Sequence, residues 1–461
     1  MPTDYGSVPT TEGEETKSSF QKRRRCNDVI FALAFLAHLG VIVAAWVTYE
    51  PQGGEEGSEI EDFADRGVWK FVGTCGAIAL ILSTLTLFFM YWFSDELVEI
   101  ALVVSLLCTA AVAGYGVYIW KIYMMVVGGV AFLAVLVFTF CVWKKIPFAA
   151  ANLKTAIRAV RTNFGLIFLA YVLEVVAFGW LILWIDAAGA GMSGEGWGMV
   201  FLYLLSFFWT QQVINNLQHT IVSSMIGTWW YNPTDANSCW DDGLNAAVCH
   251  SLTFSFGSIC FGSLLAGIVQ ALKYLHRMVA SQENRCGKCV TACIDCILSC
   301  IQDAVEYFNK WAFTFVGIHG DSYIGSGKQV MALFKQRGWS SLVGDVLADA
   351  VMFTMKISVA ILTALAGWWL VNKDDDIFVG VGVSAEDDDA IGFVAGGLIG
   401  YIVSSIMMEL VGSAVNAVIV CFAEAPDVFH NNHRELCDEM LKAWKRAYPD
   451  ECEDDFSSIK V

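Results

Sequence analysis

The chain has 461 residues, of which 56% are hydrophobic and only 16% charged, and its mean hydropathy is +0.55. A soluble globular protein is about 45–50% apolar and about 25% charged, and here the apolar excess falls in blocks too long for soluble core helices, which excludes a cytosolic enzyme and a secreted disulfide scaffold. The net charge of −18 excludes a nucleic-acid binder as well, because phosphate recognition needs a basic face.

A helix crossing a hydrocarbon core of about 30 Å needs roughly 20 consecutive apolar residues. Ten stretches qualify, at 28–48, 69–93, 96–114, 117–143, 164–186, 199–228, 245–274, 290–319, 342–371 and 391–421. The fold class expected is therefore an all-α polytopic membrane protein of about ten transmembrane helices. A polar tail (1–27) precedes the helical domain (28–421), and a second tail (422–461) follows it. None of the seven prolines falls inside a stretch, so the helices should be long and mostly unbroken.

Orientation follows from Lys and Arg in short loops. Lys22, Arg23, Arg24 and Arg25 precede the first stretch and place the N-terminus in the cytosol, as an anchor and not a cleaved signal. The 49–68 and 372–390 loops together hold 14 acids against Arg66 and Lys373 and read as outside. The 144–163 loop, with Lys144, Lys145, Lys154, Arg158 and Arg161 and no acid, reads as inside, and even parity returns the C-terminus to the cytosol. Two adjacent loops run against this scheme: acidic 229–243 falls inside and basic 273–288 outside. Both would be repaired if 199–228 were re-entrant and 290–319 lay along the inner surface. In the C-terminal tail, Leu436, Met440, Leu441 and Trp444 give 435–447 an amphipathic helical pattern.

Polar residues within apolar helices mark pathways or packing contacts. Gln212, Asn215, Asn216 and His219 stand at i, i+3, i+4 and i+7, a single helical stripe, with Trp209 one turn earlier. Such a stripe is either a substrate or water pathway or a seam of interhelical hydrogen bonds. Glu174, Lys356 and Glu409 are ionisable groups at mid-span, with Asp345 and Asp349 upstream of the lysine. Lys356 with Glu409 or Glu174 could form a structural ion pair; alternatively, one carboxylate binds a cation beside aromatic rings. Of the seventeen tryptophans, Trp180 and Trp209 lie deep enough to line a site, and most others sit at span ends. Cys286, Cys289, Cys293, Cys296 and Cys300 follow steps of three and four, a helical stripe that could ligate metal only by assembling with another element; it reads first as a packing or lipid-facing seam, with palmitoylation or redox chemistry as the alternatives. No metal, cofactor or catalytic constellation is expected, so the chain does not read as an enzyme.

Several segments, in order, resemble the choline transporter-like family, in its short-first-loop, fungal-type branch. They are Gly227-Thr-Trp-Trp-Tyr-Asn-Pro233 after the polar stripe, the Gly-Ser-x-x-x-Gly-Ser pattern at Gly257–Ser263, the Cys-rich helix, Tyr307-Phe-Asn-Lys-Trp-Ala-Phe through Gly317-Ile-His-Gly320, and Ala423-Glu-Ala-Pro-Asp-Val-Phe. The resemblance covers about 200–430, and Ala312-Phe313 stands where the family has Ala-Tyr. It implies ten spans, cytosolic termini, a multi-pass position in the plasma membrane, and movement of choline or an ethanolamine-type cation by facilitated diffusion or proton exchange.

The expected mechanism is alternating access around a midplane site between the fifth, sixth, ninth and tenth stretches. Trp180 and Trp209 would supply rings, Glu174 or Glu409 the neutralising charge, and Gln212 and Asn216 hydrogen bonds to a hydroxyl. His219, Asp349 and Lys356 are the proton or ion-pair candidates. A transporter, channel or lipid-handling protein for another solute, or a non-transporting membrane protein, are the competing readings. The partners expected are a choline-like organic cation and the bilayer, with no nucleic acid. Sequence leaves proton coupling and oligomeric state open.

Overall fold

The structure, a computed structural model, describes residues 25–48, 66–192, 196–280, 287–337, 342–373 and 388–448. Both acidic loops lie largely outside the described residues, as do Lys22, Arg23 and Arg24, Cys286, and the ends of both tails. The described residues fold into α-helices and two short 3-10 turns, with no strand among them. In chain order the helices are α1 (Val29–Thr48), α2 (Arg66–Trp92), α3 (Ser94–Tyr118), α4 (Ile122–Val142), α5 (Ile146–Thr162), α6 (Gly165–Met192), α7 (Trp197–Tyr231), α8 (Asp242–Thr253), α9 (Phe256–Ala280), α10 (Gly287–His319), α11 (Tyr323–Arg337), α12 (Leu342–Val371), α13 (Asp388–Glu424), α14 (Pro426–Asn432) and α15 (Arg434–Ala447).

Nine helical segments among the described residues are long and apolar enough to cross a membrane. The tenth expected stretch, 290–319, forms α10, whose Asp295, Asp303, Glu306 and Lys310 keep it out of the apolar set. It nevertheless runs along α9 in the opposite direction: Lys273 bonds Gln302 at 2.9 Å and Gln270 bonds Glu306 at 3.2 Å, while Asn309 donates to the Gly262 carbonyl at 3.1 Å. The stretch considered for a re-entrant hairpin is instead one continuous helix, α7, of 35 residues, about 52 Å at 1.5 Å per residue.

Two local departures from the sequence reading have physical causes. The basic 144–163 segment folds as a helix, α5, with Pro147 in its first turn, where the missing N–H costs nothing. Its Phe148, Ala149, Leu153, Ala156, Ile157 and Val160 are buried, and the bases occupy the opposite face. The stretch 245–274 is broken after Thr253, where the N–H groups of Phe254 and Ser255 both turn back to the His250 carbonyl. That break frees the Phe254 carbonyl to accept the Asn27 N–H at 3.3 Å.

The Gly-Ser-x-x-x-Gly-Ser motif explains itself here. A Cβ on Gly257 would stand 2.3 Å from the Asn27 carbonyl oxygen, so only glycine admits the segment entering α1. Ser258 then donates to the Asp28 carboxylate at 2.6 Å, which also accepts the Tyr323 N–H at 3.3 Å. Asn27 reaches the Gly320 carbonyl at 3.2 Å, and the neighbouring His319 bonds Glu424 at 3.0 Å. Both ends of the described chain therefore emerge at one end of the bundle. The second half of α13 is buried from Met407 through Ala423 apart from Glu409 and Gly412, and the helix packs against α2, α5, α6, α7, α10 and α12. Gly396 and Gly400 let its backbone close on α12, the first against the Thr363 carbonyl and the second against the Thr363 side chain. The tail helix expected at 435–447 is α15, with Cys437, Met440, Leu441 and Trp444 buried against the bundle.

Candidate functional site

Four helices line a polar cavity of about 490 Å³. From α7 come Gln212, Asn215, Asn216 and His219, on one face as their spacing requires. Asn216 donates to the Ser263 hydroxyl at 2.9 Å, and so ties the stripe to the last residue of the glycine-serine motif. His219 uses both ring nitrogens: Nδ1 lies 2.8 Å from the Ser413 hydroxyl, and Nε2 donates towards the Lys310 carbonyl at 3.0 Å, with the Thr314 hydroxyl 2.9 Å away.

The α10 wall presents Glu306, Asn309 and Lys310 at i, i+3 and i+4. Lys310 clamps α10 to α12 through Asp345 at 2.6 Å and Asp349 at 3.3 Å. Asn309 accepts the Tyr323 hydroxyl, which links the cavity to the Asp28–Ser258 contact at the bundle end. α12 adds Asp349, Phe353 and Lys356, and α13 adds Glu409, Ser413 and Asn416. Glu409 lies fifteen residues before Glu424 and His219 twelve before Tyr231. At 1.5 Å per residue these are depths of about 22 and 18 Å from the end where the termini meet, near the middle of the bundle.

Counting Asp345 behind Lys310, the site holds four carboxylates (Glu306, Asp345, Asp349, Glu409) against two ammonium groups (Lys310, Lys356). A mid-depth cavity with surplus negative charge favours a cationic occupant, since uncompensated charge at this depth is expensive. Lys356 and Glu409 interact electrostatically, but the lysine with direct carboxylate partners is Lys310.

Of the residues singled out by sequence, the cavity brings together Gln212, Asn215, Asn216, His219, Asp349, Lys356 and Glu409. Glu174, on α6, does not line it, although its charge couples to that of Glu409. Trp180 packs with Ile42, Ala187, Ala188 and Tyr203. Trp209 donates its indole N–H to the Cys260 carbonyl at 3.0 Å and stacks on His38 at 5.0 Å. The walls thus come from the sixth, eighth, ninth and tenth stretches, with the eighth where the fifth was expected. Sequence reading missed Glu306, Asn309 and Lys310, whose i, i+3, i+4 spacing was the available signal. Cys293, Cys296 and Cys300 are exposed along α10, and the described residues contain no cluster able to hold a metal.

A profile described as plasma-membrane choline transporter matches residues 126–427, a span that contains every residue lining the cavity. The chain belongs to the choline transporter family. Among its relatives, a CTL-like protein of Dictyostelium discoideum is 29% identical over 332 residues, covering 70% of this chain and 58% of that protein. Protein PNS1 of Mycosarcoma maydis is 28% identical, with 81% of this chain and 73% of the relative aligned. Protein PNS1 of Saccharomyces cerevisiae is 26% identical over 92% of this chain and 84% of its own length. This is a multi-pass protein of a membrane transporter family, and the match begins within α4, well before the segments that carried the resemblance.

Proposed function

We propose that the chain carries choline or a related small organic cation of the ethanolamine type across the plasma membrane by alternating access, with both termini in the cytosol. The observation that carries this reading is the mid-depth cavity with its surplus of carboxylates. Glu409 and Asp349 neutralise the cation, and Gln212 and Asn216 hold a hydroxyl. His219 is committed through both nitrogens to fixing α7 against α10 and α13, so a coupled proton travels on a carboxylate. Glu174 is a reserve of negative charge behind Glu409.

The lining also bears on which cation is held best. Phe353 is the one Phe, Tyr or Trp ring among the described lining residues, whereas a quaternary ammonium is best held by several ring faces. Amide and carboxylate oxygens favour an ammonium that donates hydrogen bonds, so ethanolamine competes at least as well as choline.

Labelled choline and ethanolamine uptake into choline-auxotrophic cells expressing the chain tests this. Saturable, mutually competing uptake is expected, and Glu409→Gln should reduce it at least about tenfold at unchanged surface abundance, the scale of one lost charge contact of ~1.5–3 kcal/mol. Absence of uptake with the chain confirmed at the cell surface sinks the substrate reading and leaves the family standing.

A further inference from the structure

The basic segment that oriented the chain has most of its charges already spent. Lys145 sits 5.0 Å over the Tyr448 ring, Lys154 pairs with Glu439 at 2.7 Å, and the Arg161 guanidinium lies 4.4 Å over Tyr91 and 5.2 Å over Phe88. Arg158 is different. It reaches the Tyr91 hydroxyl at 3.4 Å and has no carboxylate partner among the described residues. It borders a second cavity, of about 630 Å³, between the ends of α2, α5 and α7 and the start of α15. Arg434 and His433 face Arg158 across this space, and Glu435 is the one acid on its wall. His433 gives its Nε2–H to the Trp229 carbonyl at 3.0 Å, which leaves Nδ1 without a protein partner among the described residues.

We propose that this cavity is an anion site for the phosphate of a phospholipid headgroup. Two guanidinium groups with few internal partners, on separate helices, offer the forked donors that phosphate oxygens accept. Thr162 and Asn237 add neutral polar groups to the wall. The cavity opens at the bundle end shared by the termini, where Trp92, next to the lining Tyr91, is 72% exposed and Trp240 49% exposed. Such interfacial rings give acyl chains an apolar path beside a basic pocket. This site is separate from the transport cavity and does not depend on the substrate assigned there.

The test is a titration of the purified full chain in detergent, read by intrinsic tryptophan fluorescence because Trp229 forms part of the wall. The probes are dioctanoyl phosphatidylinositol 4-phosphate, dioctanoyl phosphatidylcholine and inorganic phosphate. Saturable binding of the anionic lipid is expected, weakened about tenfold by Arg158→Gln and by Arg434→Gln. Glu435→Gln should tighten binding two- to fivefold, a gain that misfolding cannot produce. Equal binding of inorganic phosphate with the same variant dependence would keep the anion site and reassign its source to a soluble phosphate. Equal binding of phosphatidylcholine, or anionic binding indifferent to all three substitutions, overturns the proposal.

Discussion

His433 stands at the turn into α15, stacked 3.8 Å from the Trp229 ring and bonded to that residue's carbonyl. Burial lowers its pKa from the ordinary 6.5; the bond to Trp229 opposes this shift and the nearby Arg158 charge reinforces it. A histidine whose folded pKa is depressed contributes stability that is full above its unfolded value and is lost as pH falls through 6.5 towards the folded value. The imidazolium therefore meets both the cost of burial and the repulsion of Arg158. Between pH 7.5 and 5.5, without added phosphate or anionic lipid, wild type should therefore lose more thermal stability than His433→Gln. A Tm difference between the two proteins that does not change with pH would contradict this. Ser258 offers a second single-residue check. Removing its bond to the Asp28 carboxylate in Ser258→Ala should cost about 1.5–3 kcal/mol, as for hydrogen bonds to charged groups, measured by thermal unfolding in detergent. The sequence marked Ser258 through its motif. Its partner Asp28 carried no signal, because the two are 230 positions apart and nothing local connects them.

At the scale of elements, Lys310 is the buckle between α10 and α12. Its side chain is 23% exposed and that of Asp345 8%, so cutting the pair leaves a buried carboxylate unpaired. Lys310→Met should cost about 3–5 kcal/mol and deplete the folded protein, whereas Lys310→Met with Asp345→Leu should recover much of the yield in fluorescence-detected size-exclusion chromatography. Equal yields for single and double variants would mean that the pair does not hold the helices. Long apolar runs made most of the spans legible, and the period of four polar residues on α7 gave one wall of the cavity. The facing wall, on 290–319, was not legible because Glu306, Asn309 and Lys310 share that stretch with a cysteine stripe on a different helical face. α5 was hidden for a related reason: its bases settle orientation when counted, but its helical period shows only in the alanines and leucine between them.

For the whole molecule, sequence order and spatial order diverge. α2 packs on α12 and α13, and α1 on α6 and α9, so among the described residues the first helices made find their neighbours among later ones. A chain ending at residue 341 should accordingly fail to accumulate, as judged by immunoblot of membranes, whereas one ending at residue 448 should accumulate like the full chain. α1 shows what this arrangement demands. It is complete at Thr48, and α9 begins at Phe256, about two hundred residues later, or roughly 10–40 s of synthesis at 5–20 residues per second. Until α6, its earlier partner, begins at Gly165, the helix has neither of these neighbours beside it. Its sequence VIFALAFLAHLGVIVAAWVT carries no charge and a single imidazole, and that imidazole meets the Ser206 hydroxyl at 2.7 Å only after α7 has been made. Its plainness is a tolerance for solitude: a helix that must live alone in the bilayer before its bundle exists has no room for the polar groups its later partners carry.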